Sequence, residues 1–96
     1  MTGNGHEHPA RISRRALLAA ADAPDASVEE QVAGADAALA LGDVNAALGR
    51  ALEAVRTHQG EERESARLRL LELFEIIGAT SPEVAQARRR LASLLY

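Results

Sequence analysis

The 96-residue sequence contains no cysteine, no tryptophan and no lysine, and it has a single phenylalanine and a single tyrosine. The absence of cysteine excludes a disulfide framework, a thiolate metal site and a cysteine nucleophile. No stretch approaches the roughly 20 apolar residues that a membrane-spanning helix needs. The net charge is −3, whereas nucleic-acid binding requires a clearly basic surface. We therefore expect neither a membrane nor a nucleic acid as a partner.

Alanine and leucine dominate the sequence, with 21 and 13 residues respectively. Both residues favour helix, and alanine lets neighbouring helices approach closely although each alanine buries little area. No segment alternates apolar and polar residues with the period of two that marks a strand. The composition therefore predicts an all-α domain of thin, stacked helix pairs.

Local signals divide the chain into three parts. Residues 1–9 are polar and glycine-rich, which predicts a disordered N-terminal tail. Residues 10–26 predict a short helix and a loop, since Pro24 blocks helix continuation. Residues 27–96 predict a helical domain of four helices, each with an apolar stripe at helical spacing. The boundary signals of these helices are the Ser27–Glu30 capping box, Gly42-Asp43, Gly78 and Ser81-Pro82.

The connections between these helices are mostly very short, so consecutive helices are expected to lie antiparallel. The predicted fold class is all-α, with two stacked antiparallel helical hairpins of tetratricopeptide type and a short N-terminal helix. In the helix that ends at Gly78, Leu68, Leu71 and Ile76 extend the apolar stripe towards a second side. A helix that is apolar on two sides usually lies between neighbours, so we expect it at the centre of the stack.

The hairpin from Val28 to Val55 resembles a tetratricopeptide repeat. Its turn, Gly42-Asp43, matches the Gly-Asp or Gly-Asn turn that often joins the two helices of that repeat. A larger residue is expected at the position of Ala51, which departs from the pattern. The small-residue positions of the repeat, where its helices cross closely, fall on Ala35, Ala47 and Ala54.

The end of the chain carries a more specific pattern, in the segment from Arg67 to Gly78 and in Arg-Arg-Arg-Leu-Ala-Ser-Leu-Leu-Tyr at residues 88–96. This pattern is similar to the C-terminal tetratricopeptide-like domain of the YbbN/CnoX thioredoxin-like co-chaperone family. The resemblance covers roughly residues 27–96. The thioredoxin domain of that family has no counterpart in this sequence, which has neither a strand pattern nor a Cys-x-x-Cys motif. We therefore expect either a fragment of a longer protein or a short stand-alone relative.

The resemblance implies a non-enzymatic, chaperone-associated protein of the bacterial cytoplasm. Members of the family hold unfolding client proteins and work with the GroEL chaperonin, with the C-terminal helix as the docking element. The expected partner is therefore a protein, either a chaperonin or an unfolding client, and no cofactor is expected. The predicted partner-binding residues are Arg88, Arg89, Arg90, Leu91, Leu94, Leu95 and Tyr96.

These C-terminal residues also have an interpretation that needs no partner. The arginine run fits a solvated helix face, which is the commoner role of a surface charge run. The apolar residues from Leu94 to Tyr96 either pack against the domain or form an exposed end that a partner covers.

Other functions remain open at this stage. A structural stacking domain or a homodimer is the main alternative, because arrays of repeats need capping faces. DNA binding through the arginine run is opposed by the acidic net charge. An enzyme or a metal site is least favoured, since His6 and His8 lack further ligands and the possible acid–base groups do not converge in a pocket. Those groups are His58, Glu61 and Glu62.

Overall fold

The structure is a computed structural model that describes residues 13–95, and these residues form five α-helices. They are α1 (Arg14–Ala21), α2 (Val28–Ala40), α3 (Val44–Thr57), α4 (Gly60–Ile77) and α5 (Pro82–Leu95). Residues 13–95 contain no strand, and the expected all-α class built of helical hairpins is confirmed. The expected tail at residues 1–9, the first three residues of the expected first helix and Tyr96 lie outside the described residues.

Side-chain caps set the start of four of these helices. Ser13, Ser27, Asp43 and Ser81 each accept a hydrogen bond from a backbone N–H in the first turn, at 3.1, 3.1, 3.0 and 3.3 Å. At α2 the capping box is complete, because the Glu30 carboxylate also accepts a hydrogen bond from the Ser27 N–H at 2.8 Å. Each such cap stabilises its helix by about 1 kcal/mol. The starts that the sequence predicted for α2, α3 and α5 are therefore correct.

The turn between α2 and α3 depends on Gly42. Its φ of +86° is a conformation that a residue with a Cβ atom rarely adopts. It lets the Gly42 N–H donate to the Leu39 carbonyl at 2.9 Å and the Asp43 N–H donate to the Ala38 carbonyl at 3.0 Å. These two bonds form a Schellman motif. Asp43 then caps α3 at once, so the chain reverses within three residues and α2 and α3 form a tight hairpin.

The central helix of the domain is α3, which packs against α2, α4 and α5. The backbones of α4 and α5 stay largely apart from each other, although both pack against α3. The expectation that α4 lies at the centre is therefore wrong. Its second apolar side is open to solvent, and Leu68 and Ile76 are 50% and 60% exposed.

Two kinds of residue fill the core. Alanines occupy the region where α2 and α3 approach, and Ala35, Ala47, Ala51 and Ala54 are completely buried. Larger side chains lie mainly towards the second half of the chain. The largest fully buried side chains are Phe74, Leu52, Leu70, Leu73, Val28, Val55 and Val84.

The N-terminal helix α1 packs against α2 at a glycine. Gly34 is buried in the middle of α2, and a Cβ atom built on it would lie 2.4 Å from the Cβ atom of Ala21, the last residue of α1. Asp22, which follows α1, also binds Arg50 of α3 through an ion pair of 2.7 Å. These two contacts hold α1 against the hairpin of α2 and α3.

We predict that Gly34→Ala destabilises the domain by about 1–3 kcal/mol, because the new methyl group overlaps a Cβ atom that cannot move without shifting α1. The matched control is Gly49→Ala in the middle of α3, where nothing lies within 4 Å of the added Cβ atom. There alanine should stabilise the helix by about 0.5–1 kcal/mol. Urea unfolding followed by circular dichroism measures both changes.

The contact with α1 is tested directly by adding Ala21→Gly to the Gly34→Ala variant. Removing the opposing methyl group should restore most of the lost free energy of unfolding, a coupling expected only for residues in contact. Equal stabilisation by Gly34→Ala and Gly49→Ala would show that α1 does not pack on α2 as described.

Candidate protein-binding surface

An open groove of 820 Å³ runs along α4 between α2 and α5. We call it the α4 groove. The surface of its lining is mostly apolar, although four charged side chains contribute to it. One residue of α2, seven residues of α4 and one residue of α5 line it: Val32, Ser65, Leu68, Arg69, Leu71, Glu72, Phe74, Glu75 and Arg88.

Leu68 is the most exposed apolar residue of the groove. Single exposed apolar side chains are common on protein surfaces. Leu68, however, lines the same groove as Val32 and Leu71, which are partly buried. Ile76, eight residues further along α4, is 60% exposed. An apolar surface of this kind, concave and bordered by charge, is typical of a site that binds another molecule.

Arg69, which lines the groove, links α4 to α2 through hydrogen bonds. Its Nε and Nη2 atoms donate to Oδ1 of Asp36 at 3.1 and 2.8 Å, and its Nη1 atom donates to Oε1 of Glu72 at 3.2 Å. The hydrogen bond to Asp36 raises the pKa of Arg69 above its ordinary value. Because both partners are partly exposed, the ion pair contributes about 1 kcal/mol or less. Its main effect is to join α2 to α4 in a defined position.

Arg88 of α5 lies over the ring of Phe74, with its Cζ atom 5.0 Å from the ring centroid. The Phe74 side chain is 1% exposed, so its ring belongs to the core and forms part of the groove floor. This cation–π contact contributes about 0.5–1 kcal/mol where it is open to water. Among residues 13–95, no carboxylate forms an ion pair with Arg88.

The predicted arginine run does not form one patch. Arg88 lines the α4 groove, whereas Arg90 lies beside Glu53 and Arg56 of α3. The pKa of Glu53 is lowered mainly by its hydrogen bond from Arg56, and the charge of Arg90 adds a smaller effect. Arg89 is exposed. Three consecutive helical positions are about 100° apart, so they face different sides.

The predicted C-terminal leucines differ in burial. Leu91 is 8% exposed and belongs to the core cluster, because it continues the stripe of Val84 and Ala87. Its side chain is therefore not on the surface that a partner would meet. Leu94 packs partly against the core, and Leu95 is 38% exposed.

The residues considered for acid–base chemistry lie at the ends of helices. His58 ends α3, and its Nδ1 atom lies 2.9 Å from the Ala54 carbonyl oxygen, as expected for a helix C-terminus. Glu61 and Glu62 are exposed in the first turn of α4. Within residues 13–95, no three histidine or acidic side chains come together as metal ligands, and no helix is long and apolar enough to cross a membrane. The two histidines of the N-terminal segment lie outside those residues.

The groove was not recognised from the sequence, although a signal for it was present. The apolar pattern alone predicts that Leu68, Leu71 and Ile76 contact a second neighbouring helix. Glu72 and Glu75 lie among them on the same side of α4, and charged residues are almost never fully buried unless they are paired. A helix side that mixes leucine with two glutamates indicates an exposed surface.

We predict that the exposed leucine of the groove contributes little to stability. Leu68→Ala should change the free energy of unfolding by about 1 kcal/mol or less, because the side chain is 50% exposed. Leu70→Ala, the same substitution two residues later, should cost about 2–5 kcal/mol because Leu70 is completely buried. Urea unfolding compares the two variants. Similar costs would show that Leu68 is packed in solution.

Comparison with known proteins places the chain in a family. The tetratricopeptide repeat profile matches residues 7–96. Uncharacterized proteins from Mycobacterium bovis and from two strains of Mycobacterium tuberculosis are 39% identical over 87 residues, which are 91% of this chain but 29% of those relatives. The chain thus spans less than a third of their length. No solved structure matches it. The chain belongs to the tetratricopeptide repeat family.

Proposed function

We propose that this domain is a non-enzymatic module for protein–protein interaction and that it holds a segment of a partner protein in the α4 groove. Repeats of this family typically mediate such interactions, because stacked helix pairs form extended concave surfaces. The observation that carries the proposal is the exposure of Leu68 at 50% beside Val32 and Leu71, in a groove whose edge is fixed by Arg69.

The proposal includes the end of α5 as a second contact. Arg89, Arg90, Leu94, Leu95 and Tyr96 would meet the partner there, and Leu91 supports this surface from the core. Arg88 would meet the partner in the α4 groove instead. The exposure of Leu95 supports this assignment. The resemblance to the YbbN/CnoX co-chaperones extends the proposal to a chaperonin or an unfolding client as the partner, in the bacterial cytoplasm.

A second candidate function is self-association. Ile76 is 60% exposed on α4, and a second copy of the chain that covered this side would bury it together with Leu68. Sedimentation velocity over a range of concentrations separates the two candidates. A dimer that Ile76→Ser dissociates would favour the structural role over the binding of another protein.

We expect the purified domain to co-sediment with the bacterial chaperonin and Leu95→Asp to weaken that binding by at least about tenfold, because a charge replaces an apolar contact. The matched control is Leu41→Asp, since Leu41 is 60% exposed in the turn between α2 and α3. Equal binding by wild type and Leu95→Asp would remove the end of α5 from the proposal.

The groove is tested separately with an unfolded client. The domain should suppress the light scattering of chemically denatured luciferase. Leu68→Glu should lose most of this effect, because it removes the most exposed apolar side chain of the groove and puts in its place a charge that would lose its hydration on binding. Leu41→Glu again serves as the control, and circular dichroism checks that both variants fold. Suppression by Leu68→Glu that equals wild type would contradict binding in the α4 groove.

A further inference from the structure

We infer that the α4 groove selects protein segments in which a carboxylate lies next to apolar side chains, and that Arg88 binds the carboxylate. This inference rests on the proposed function of the groove and names the chemistry of the segment that it takes.

The position of Arg88 leaves its hydrogen-bond donors available. The guanidinium group has five N–H donors in one plane, and its Cζ atom lies over the Phe74 ring at 5.0 Å from the centroid. An arginine that contacts a ring in this way still presents N–H donors, which can bind a carboxylate through two parallel hydrogen bonds. The contact with the ring also limits the rotation of the side chain, so less conformational entropy is lost on binding.

The arginines of the helices α3 and α4 already donate hydrogen bonds within this chain. Every arginine of α3 and α4 donates to an oxygen atom of this chain, namely Arg50, Arg56, Arg63, Arg67 and Arg69. Arg88 donates no side-chain hydrogen bond to a residue among 13–95. Arg69 and Arg88 are the two arginines that line the groove. Arg69 already donates hydrogen bonds to Asp36 and Glu72, so Arg88 is the one that can donate to a partner.

The acidic residues of the groove restrict where a carboxylate can bind. Glu72 and Glu75 line the same groove, and like charges at close range oppose each other. A single carboxylate placed at Arg88 is therefore favoured, whereas a strongly acidic segment would be repelled along the rest of α4. The apolar floor of Val32, Leu68 and Leu71 requires large apolar side chains beside that carboxylate. A protein segment meets both requirements.

The experiment selects binders from a displayed library of random 12-residue peptides on the intact domain. Wild type and the control Arg15→Gln should enrich peptides in which aspartate or glutamate accompanies leucine, isoleucine or phenylalanine. Arg88→Gln should lose the acidic preference and keep the apolar one. Arg15 is an exposed arginine of α1, so it matches Arg88 in charge but lies outside the groove lining and outside the proposed contact at the end of α5.

Affinity measurements on a selected peptide give the size of the effect. By fluorescence anisotropy, changing its acidic residue to the amide should weaken binding to wild type about ten- to a hundredfold, the range expected for a hydrogen-bonded charge. The same change should leave binding to Arg88→Gln unaltered. Arg88→Lys should give an intermediate preference, because lysine keeps the charge but lacks the paired donors.

Each outcome decides between the inference and the proposed function. Apolar peptides selected without an acidic preference, or an acidic preference that persists in Arg88→Gln, would overturn the role of Arg88 and leave the groove as a binding site. Peptides whose binding is insensitive to Leu68→Glu, or no selection above background on wild type, would overturn the proposed function and the inference with it.

Discussion

The close approach of α2 to α1 and to α3 is the constraint on which the rest of the structure depends. On one side, Gly34 brings the backbone of α2 against Ala21 of α1, closer than any residue with a Cβ atom allows. On the other side, alanines such as Ala35 and Ala51 are completely buried between α2 and α3. Small side chains bury little area each, so this half of the domain is stabilised by many close backbone contacts and by well-capped helix starts.

The second half of the chain is built differently, and this difference creates the groove. Phe74, Leu70 and Leu73 provide bulk in α4, and the backbones of α4 and α5 stay largely apart while both pack on α3. Helices separated by large side chains leave space between them, whereas helices separated by alanine do not. The α4 groove, with its wall of Leu68 and Leu71, lies along this widely spaced part of the domain.

Features governed by local chemistry could be predicted from the sequence. Ser27, Asp43 and Ser81 cap helices as expected, and Gly42 takes the positive φ that the turn requires. The relative position of helices could not be predicted in the same way. An apolar stripe shows that a helix side can be buried but does not identify its neighbour. The second side of α4 was expected to contact another helix, whereas Leu68 and Ile76 on that side are exposed, and no sequence pattern indicated the contact of Gly34 with α1.

The candidate site could not be predicted from the sequence either, because it depends on how residues distant in sequence come together. The run from Arg88 to Arg90 is continuous in sequence, but the helix turns it into three separate positions, of which Arg88 alone reaches the α4 groove. What distinguishes Arg88 is its contact with Phe74, a residue distant in sequence that is both core and groove floor. A partner that binds the N–H donors of Arg88 can leave its contact with Phe74 intact. Binding in the groove should therefore stabilise the folded positions of α4 and α5 on α3, since a ligand stabilises the state that it binds.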